Sequence, residues 1–242
     1  MSRVTAAKHE EYAQARRDAI LNAALRIFSQ EGFAEAKMDQ VAAAADLSKA
    51  ALYLYFPSKD SLLQNLLKQY SLLPELPGIV VSLGDTPPPL GIPTLIAEAW
   101  RLLRERKELA RVIVREIQSN PERAKLFSEQ VGMPAYQSVA GYLDHWMKRG
   151  WLRRQDALVA AQCLLGMLWF FLLTQELMGG KELHPLSDET VVTTVARMFL
   201  DGASNKNNKR RVRSRPAAGN GRNQGSVASR PYSKIPFSKI PF

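Results

Sequence analysis

The sequence has little of what secreted, metal-binding or cofactor-dependent proteins need. Its 242 residues include one cysteine, Cys163, and three widely separated histidines, His9, His145 and His184. A single cysteine cannot form an intramolecular disulfide, and no apolar segment follows a basic start as in a secretory signal. The histidines also lack any spacing suited to metal ligation. We therefore expect a cytoplasmic protein with no metal site and no cofactor.

Catalytic signatures are missing as well. The chain contains no Gly-rich phosphate loop, no H-E-x-x-H pattern and no recognisable Ser/His/Asp set. Asp144 and His145 are adjacent, but neighbouring side chains on a helix point in different directions. The sequence therefore predicts a protein that is not an enzyme.

Acidic residues are absent from the end of the chain. The net charge is +10, and residues 204–242 carry ten lysines and arginines without one aspartate or glutamate, which accounts for the whole excess. Because residues 1–203 are nearly neutral, global basicity is no reason to assign nucleic-acid binding to the folded part. The basic segment is poor in apolar residues, which predicts a disordered tail that adds nonspecific affinity for DNA.

Strand patterns are also lacking, and helical periodicity extends from about residue 10 to residue 199. An apolar stripe that includes Ile20, Ala24 and Phe28 ends at Gly32, a residue suited to closing a helix. Proline and glycine are frequent over residues 74–93, where we expect a loop and a domain boundary. Further helices are expected at about 93–106, 107–119, 121–130, 133–150, 156–178 and 188–202. The predicted class is all-α, with divisions at 1–72, 73–203 and 204–242.

Residues 48–59, SKAALYLYFPSK, alternate in a way typical of a strand. No partner strand is predicted nearby, however, whereas Ser48 is a good N-cap for a helix. Such a helix turns Leu52 and Phe56 inward, and Pro57 ends it. It leaves three side chains outward or at the rim: Lys49, Tyr53 and Tyr55. We therefore predict a helix that presents its tyrosines to an outside partner.

Residues 38–56 fit a helix-turn-helix, in which the second helix enters the DNA major groove and the first braces it. The pattern extends from Arg16 to Leu63: a first helix ending in Gly-Phe, a Val-Ala pair in the second helix, and S-x-x-x-L-Y-x-Y-F-x-S-K. These stand here as Gly32-Phe33, Val41-Ala42, Ser48, Leu52, Tyr53, Tyr55, Phe56, Ser58 and Lys59. This run resembles the N-terminal domain of the TetR/AcrR family of bacterial regulators.

The resemblance implies two kinds of DNA contact. Phosphate contacts, with the minor groove as an option for the arginines, fall to Tyr53, Tyr55, Lys59, Arg16 and Arg17. Base reading falls to residues near the starts of the two helices: Ser48, Lys49, Lys37 and Met38. The alternative for the tyrosines is packing as rim aromatics, and the alternative for the lysines is a solvated surface, which we favour for Lys37.

Three positions depart from the family pattern. Asp46 stands in the turn where glycine is common, Ala50-Ala51 replaces Gly-Thr, and Ala36-Lys37 replaces a capping serine or threonine. The threonine hydroxyl lost at Ala51 removes one potential phosphate contact. Base readout is therefore expected to be sparse, or to rely on thymine methyl groups and DNA shape.

For residues 73–203 the resemblance implies effector binding and dimerisation. Six aromatic and methionine residues are candidates to line a ligand cavity, although such side chains are more often core: Trp100, Met133, Tyr136, Trp146, Met167 and Phe170. The apolar helices at 156–178 and 188–202 are the expected homodimer contact. A dimer would place two recognition helices about 34 Å apart, or a multiple of it, on a near-palindromic operator in double-stranded DNA.

The predicted function is a ligand-responsive transcriptional regulator, a repressor released from its operator by a small hydrophobic effector. A transcriptional activator of the same fold is the alternative. A second alternative is a membrane-attached protein in which residues 157–173 span the bilayer and the basic tail lies on anionic lipid. That stretch has 17 residues, at the lower edge of the roughly 17–25 needed to span a membrane.

Overall fold

The structure, a computed structural model, describes residues 3–204 of the chain, with side chains from residue 8 onward. The basic tail after Ser204, including its predicted disorder, lies outside the described residues. Within residues 3–204 every regular element is helical, apart from an isolated antiparallel bridge between Leu152 and Ser204. The predicted all-α class, with an N-terminal helix-turn-helix domain and a larger helical domain, is confirmed.

The α-helices of the described residues are α1 (Arg3–Glu31), α2 (Met38–Ala44), α3 (Lys49–Tyr55), α4 (Lys59–Tyr70), α5 (Leu76–Leu83), α6 (Pro88–Glu105), α7 (Lys107–Ser119), α8 (Pro121–Phe127), α9 (Met133–Lys148), α10 (Ala157–Leu172), α11 (Gly180–Leu183) and α12 (Asp188–Ala203). Two π-helical turns, Ser128–Gly132 and Leu173–Leu177, continue α8 and α10.

The helices divide into two compact units. Within the described part of the chain, the first unit contains residues 3–75 together with Glu105–Ala135, and the second contains Leu76–Arg104 and residues 136–204. The sequence predicts one continuous domain over residues 73–203, whereas α7 and α8 belong with α1–α4. The reason is the apolar stripe of α7, since Leu109, Val112 and Ile113 are buried in the core of the first unit.

That core is built around α1. Phe28 of α1, Leu52 of α3 and Leu66 of α4 are fully buried in it, and α1 packs against α2, α4 and α7. Gly32 ends α1 with φ +91°, in the left-handed region where a glycine has no side-chain penalty. Ser58 is the N-cap of α4, and its Oγ accepts a hydrogen bond from the Ser61 amide at 3.1 Å.

The proline-rich segment is more helical than predicted. Instead of a loop over residues 74–93, the chain forms α5 and begins α6 at Pro88, with Pro93 inside the helix. The physical reason is position: the first four amides of a helix have no intrahelical acceptor, so Pro88 and Pro89 remove none of its hydrogen bonds. Only Pro93 removes one.

In the second unit α10 packs against α12. Both helices have side-chain caps, because Asp156 accepts from the amides of Leu158 and Val159, and Ser187 accepts from that of Thr190. Helices α6 and α9 of the same unit also bury apolar residues. Fully buried residues of these four helices include Ile96, Leu102, Val139, Leu143, Leu168, Leu172 and Val192.

Candidate nucleic-acid interface

Helices α2 and α3 form the helix-turn-helix. Asp46 lies in the turn with φ +54°, which explains why glycine is common at this position in the family pattern. The amide of Leu47 donates to the Ala42 carbonyl at 2.9 Å and closes the turn. Ser48 then caps α3, its Oγ accepting from the Ala51 amide at 3.1 Å. The predicted helix over residues 48–56 is confirmed.

Burial of Leu52 and Phe56 fixes which side of α3 faces outward. Four residues at i, i+1, i+4 and i+5 are exposed there and form what we call the recognition face: Lys49, Ala50, Tyr53 and Leu54. Tyr53 is 42% exposed and Leu54 is 88% exposed. The face offers a cation, a phenol and two apolar groups, a combination able to contact phosphates, base edges and thymine methyl groups.

Lys49 is paired with a residue of α2. Its Nζ lies 2.9 Å from Oδ1 and 3.1 Å from Oδ2 of Asp39, in the first turn of α2. The hydrogen bond to Asp39, followed by the charge of that carboxylate, raises the pKa of Lys49 above its ordinary value. Both partners are exposed, so Asp39 extends the recognition face from Lys49 onto α2.

The other three residues predicted near the base edges differ in availability. The side chain of Lys37 is exposed, and its amide donates to Gln40 Oε1 at 2.7 Å, which supplies half of a capping box for α2. Ser48 is exposed, but its Oγ is used by the cap. Met38 is 8% exposed and belongs to the core, so its predicted base contact has no support here. Its place on the apolar stripe of α2 is the physical reason.

Lys59 points back into its own unit. Its Nζ donates to the Phe33 and Ala34 carbonyls, each at 2.8 Å, and lies 5.0 Å from the centre of the Phe33 ring. Its predicted role was a phosphate contact, but two of its three protons serve the segment after α1. The family lysine therefore has an internal structural role in this chain.

Arg16, Arg17 and Tyr55 are partly exposed. The Arg16 guanidinium donates to the Tyr12 hydroxyl at 3.0 and 3.1 Å, and that of Arg17 lies 5.2 Å from the centre of the Phe56 ring. Tyr55 packs against the core cluster, as in the rim arrangement that the sequence left open. These three side chains border the recognition face without belonging to it.

Sequence reasoning missed two surface residues, Asp39 and Leu54, whereas Ala50 was already expected on the face that reads the bases. The signal for Leu54 was available, because two buried positions, 52 and 56, already fix the outward side of a helix. The signal for Asp39 was absent. Its ion pair joins residues ten positions apart on different helices, and no local pattern predicts such a contact.

Two arginines of α7 and α8 hold the end of α1. Arg115 donates to the Ser29 carbonyl at 3.0 Å. Arg123 lies 4.2 Å from the centre of the Phe33 ring and forms an ion pair at 2.6 Å with the buried Glu116. Because Phe33 also contacts Lys59, cations from two parts of the sequence fix the segment between α1 and α2.

The predicted cavity residues are scattered. Met133 lies in the first unit and the other five lie in the second. Trp100 is buried and its Nε1 donates to Asp188 Oδ1 at 2.9 Å, which satisfies its polar group internally. Trp146 is also buried, whereas Tyr136 and Met167 are partly exposed. Phe170 is 61% exposed, so its predicted place in an interior cavity is wrong for this conformation.

Two comparisons with protein families match most of this architecture. Residues 20–66 match the model described as bacterial regulatory proteins, tetR family. Residues 102–202 match the C-terminal domain model of AefR-like transcriptional repressors. Together they cover more than half of the chain. The chain belongs to the TetR family.

Relatives of this TetR-family chain resemble it through the DNA-binding region. The HTH-type transcriptional regulator RutR of Escherichia coli is 43% identical over 65 residues, 27% of this chain and 31% of that protein. YuxN of Bacillus subtilis is 39% identical over 51 residues, 21% of this chain and 18% of that protein. The chain thus spans less than a third of the length of these curated relatives.

Solved TetR-type structures share the fold over a longer range. A TetR-family regulator from Mesorhizobium loti has a TM-score of 0.66 at 20% identity, covering 79% of this chain and 98% of that one. FadR from Bacillus subtilis, solved in complex with stearoyl-CoA, also has a TM-score of 0.66, at 19% identity and with 76% and 97% covered. These similarities show the fold, and the family is one of DNA-binding transcriptional regulators.

Residues 3–204 contain no group of three or more metal-ligating side chains that could hold an ion. One stretch within this range, Ala157–Leu177, is long and apolar enough to cross a membrane, with 33% of its apolar window buried. The core helix of a soluble protein meets the same criteria. In a TetR-family chain we therefore read this stretch as part of the second unit.

Proposed function

We propose that this protein is a homodimeric repressor that binds a near-palindromic operator through α3 and releases it when a small hydrophobic effector binds the second unit. The observation that carries the proposal is the recognition face. Four adjacent side chains of α3 are exposed, while the helix is held by buried Leu52 and Phe56. A repressor is favoured over an activator because residues 102–202 resemble the C-terminal domain of AefR-like repressors.

Each exposed residue has a role in this proposal. Tyr53 donates its hydroxyl to a phosphate, and Lys49 and Ser48 contact base edges at the entry of the major groove. Lys37 lies at the start of α2 and contacts phosphate. Ala50 and Leu54 contact thymine methyl groups, and this part of the base readout needs no hydrogen bond.

Flanking residues complete the DNA contacts. Arg16 and Arg17 lie about one turn N-terminal to the buried part of α1. They reach phosphate or the minor groove by giving up their contacts with Tyr12 and Phe56. Tyr55 supports α3 from the rim. Lys59 acts indirectly, because its ammonium fixes the segment that precedes α2.

The dimer contact is proposed on the exposed faces of α10 and α12. In α10 an outward stripe at i, i+4, i+7 and i+11 consists of Val159, Cys163, Gly166 and Phe170, with Thr194 and Met198 exposed on α12. These side chains are uncharged, and Gly166 permits close helix approach. A second copy of the same pair of helices would cover this surface as a four-helix bundle.

The effector is proposed to be hydrophobic. FadR, which shares the fold, is solved with stearoyl-CoA, and the second unit of this chain is rich in apolar and aromatic residues. Tyr136, Trp146 and Met167 remain the candidate lining residues. An effector that changes the separation of two recognition helices would weaken binding without touching DNA.

Selection of bound duplexes from a random library tests DNA recognition. We expect a near-palindromic motif with wild type, and an affinity for it that is about 3- to 10-fold weaker with Tyr53→Phe because one phosphate hydrogen bond is lost. Tyr70→Phe is the matched control, since the Tyr70 hydroxyl bonds Asn22 within the protein. Absence of any enriched motif would overturn the proposal.

The selected operator then tests regulation. Placed before a reporter gene, it should give lower expression when the protein is present, whereas an activator would raise expression. Titration of stearoyl-CoA into the protein–operator complex should release the duplex if long-chain acyl groups are the effector class. Unchanged operator binding at saturating stearoyl-CoA would exclude long-chain acyl groups as the effector class.

A further inference from the structure

An exposed ion pair joins the two helices of the helix-turn-helix. Lys49 Nζ lies 2.9 Å from Asp39 Oδ1, and the side chains are 60% and 62% exposed. Surface ion pairs of this kind contribute little to folding stability. The pair does, however, fix the positions of a donor in the recognition face, Lys49, and of an acceptor next to it, Asp39.

The hydrogen-bonding capacity of this pair is only partly used. A lysine ammonium has three donors, and a carboxylate has about four lone-pair sites. Engagement with each other therefore leaves Lys49 at least one free donor and Asp39 several free acceptor sites. In the major groove a guanine presents two acceptors, O6 and N7, and its cytosine partner presents a donor, N4. The donor and acceptor of the ion pair are complementary to those of one G·C base pair.

The charges of Asp39 and Lys49 also favour contact with a base pair in DNA. A lone carboxylate near DNA phosphates would be repelled, but Lys49 neutralises Asp39 at 2.9 Å. We infer that Asp39 and Lys49 together read one G·C base pair in each half-site, with Lys49 donating to guanine and Asp39 accepting from cytosine N4. This inference rests on the proposed DNA-binding function and assigns a base pair to its surface.

The test is selection from a random duplex library with the full-length chain and its variants. Wild type should enrich one G·C pair per half-site at a fixed position. Asp39→Ala and Lys49→Met should each reduce the preference at that same position by about 5-fold or more, and leave the other positions unchanged. Asp39→Asn keeps the size of the side chain and should shift the preference toward adenine, which an asparagine amide recognises.

The two single variants should differ in their affinity for nonspecific DNA. Asp39→Ala removes a negative charge and frees Lys49 for phosphate, so nonspecific binding and its salt dependence should increase. Lys49→Met should decrease both, because one potential phosphate contact is lost. The double variant should show no further loss of base preference at the G·C position, since either single change already breaks the pair.

Glu129→Ala is the matched control. Glu129 forms an ion pair of similar exposure with Lys125 on another helix of the same unit, and its removal should leave every base preference unchanged. A wild-type motif that is untouched by Asp39→Ala and Asp39→Asn would overturn the inference while keeping the proposed function. A wild type that enriches no motif would instead overturn the proposed function.

Discussion

Helices α3 and α10 both present apolar side chains to solvent, but they do so in different surroundings. On α3, Leu54 is 88% exposed next to Tyr53 and the Lys49–Asp39 ion pair. On α10, Val159 and Phe170 belong to an uncharged stripe about three turns long. A mixed polar and apolar face suits the edges of base pairs, whereas an uncharged stripe suits another helix. Exposure alone therefore does not identify a partner; the neighbouring charges do.

The largest effect is expected from the α10 stripe. Phe170→Glu places a charge on the proposed dimer face, and because the avidity of two linked half-sites is lost, operator affinity should fall by about 100-fold or more. Sedimentation should show a monomer. Leu183→Glu, at a position 89% exposed outside the stripe, is the control and should remain dimeric. If the Phe170→Glu protein is still dimeric and binds the operator with full affinity, the dimer interface lies on another surface.

The second effect separates lysines that serve the protein from those that serve DNA. Lys59→Met removes two charge-assisted hydrogen bonds to Phe33 and Ala34, so the free energy of unfolding should fall by about 2 kcal/mol. Lys37→Met, at an exposed side chain without such bonds, should leave it unchanged. Urea unfolding of both variants measures the difference. Equal free energies of unfolding for the two variants would mean that Lys59 serves as a DNA contact and not as an internal one.

The third effect concerns the turn that sets the direction of α3. Asp46 has φ +54°, a conformation that glycine adopts without side-chain strain. Asp46→Gly should therefore raise the free energy of unfolding by about 0.5–1 kcal/mol. Thermal unfolding measures this change, and base preference should stay the same. A loss of stability would show that the Asp46 side chain makes a contact worth more than the strain.

The smallest effect is expected at Leu54. Because its side chain is almost fully exposed, Leu54→Ala should change stability by less than about 0.5 kcal/mol. It should lower the preference for thymine near the recognition face by a few-fold, as a methyl contact is lost. Selection from the random library checks this against wild type. An equal thymine preference for wild type and Leu54→Ala would mean that the Leu54 side chain contacts only solvent in the complex with DNA.

Much of the DNA-binding unit could be predicted because its signals are local. Ser48 and Ser58 each cap a helix whose first turn lies within three residues, and buried Leu52 and Phe56 orient α3 by helical spacing alone. The same local reasoning failed over residues 74–93. The prolines there predict a loop, although a proline in the first turn of a helix costs no hydrogen bond.

By itself, the sequence determined the all-α class and the helix-turn-helix, because capping and periodicity act over three or four residues, and the motif from Arg16 to Leu63 carried the resemblance to the family. Only the tertiary structure decided the use of long side chains. Lys59 bonds carbonyls 25 and 26 residues away, Lys49 meets Asp39 across a turn, and Met38 lies in the core. A long lysine or methionine side chain can reach several partners, and the position of the backbone in the folded chain determines which of them it contacts.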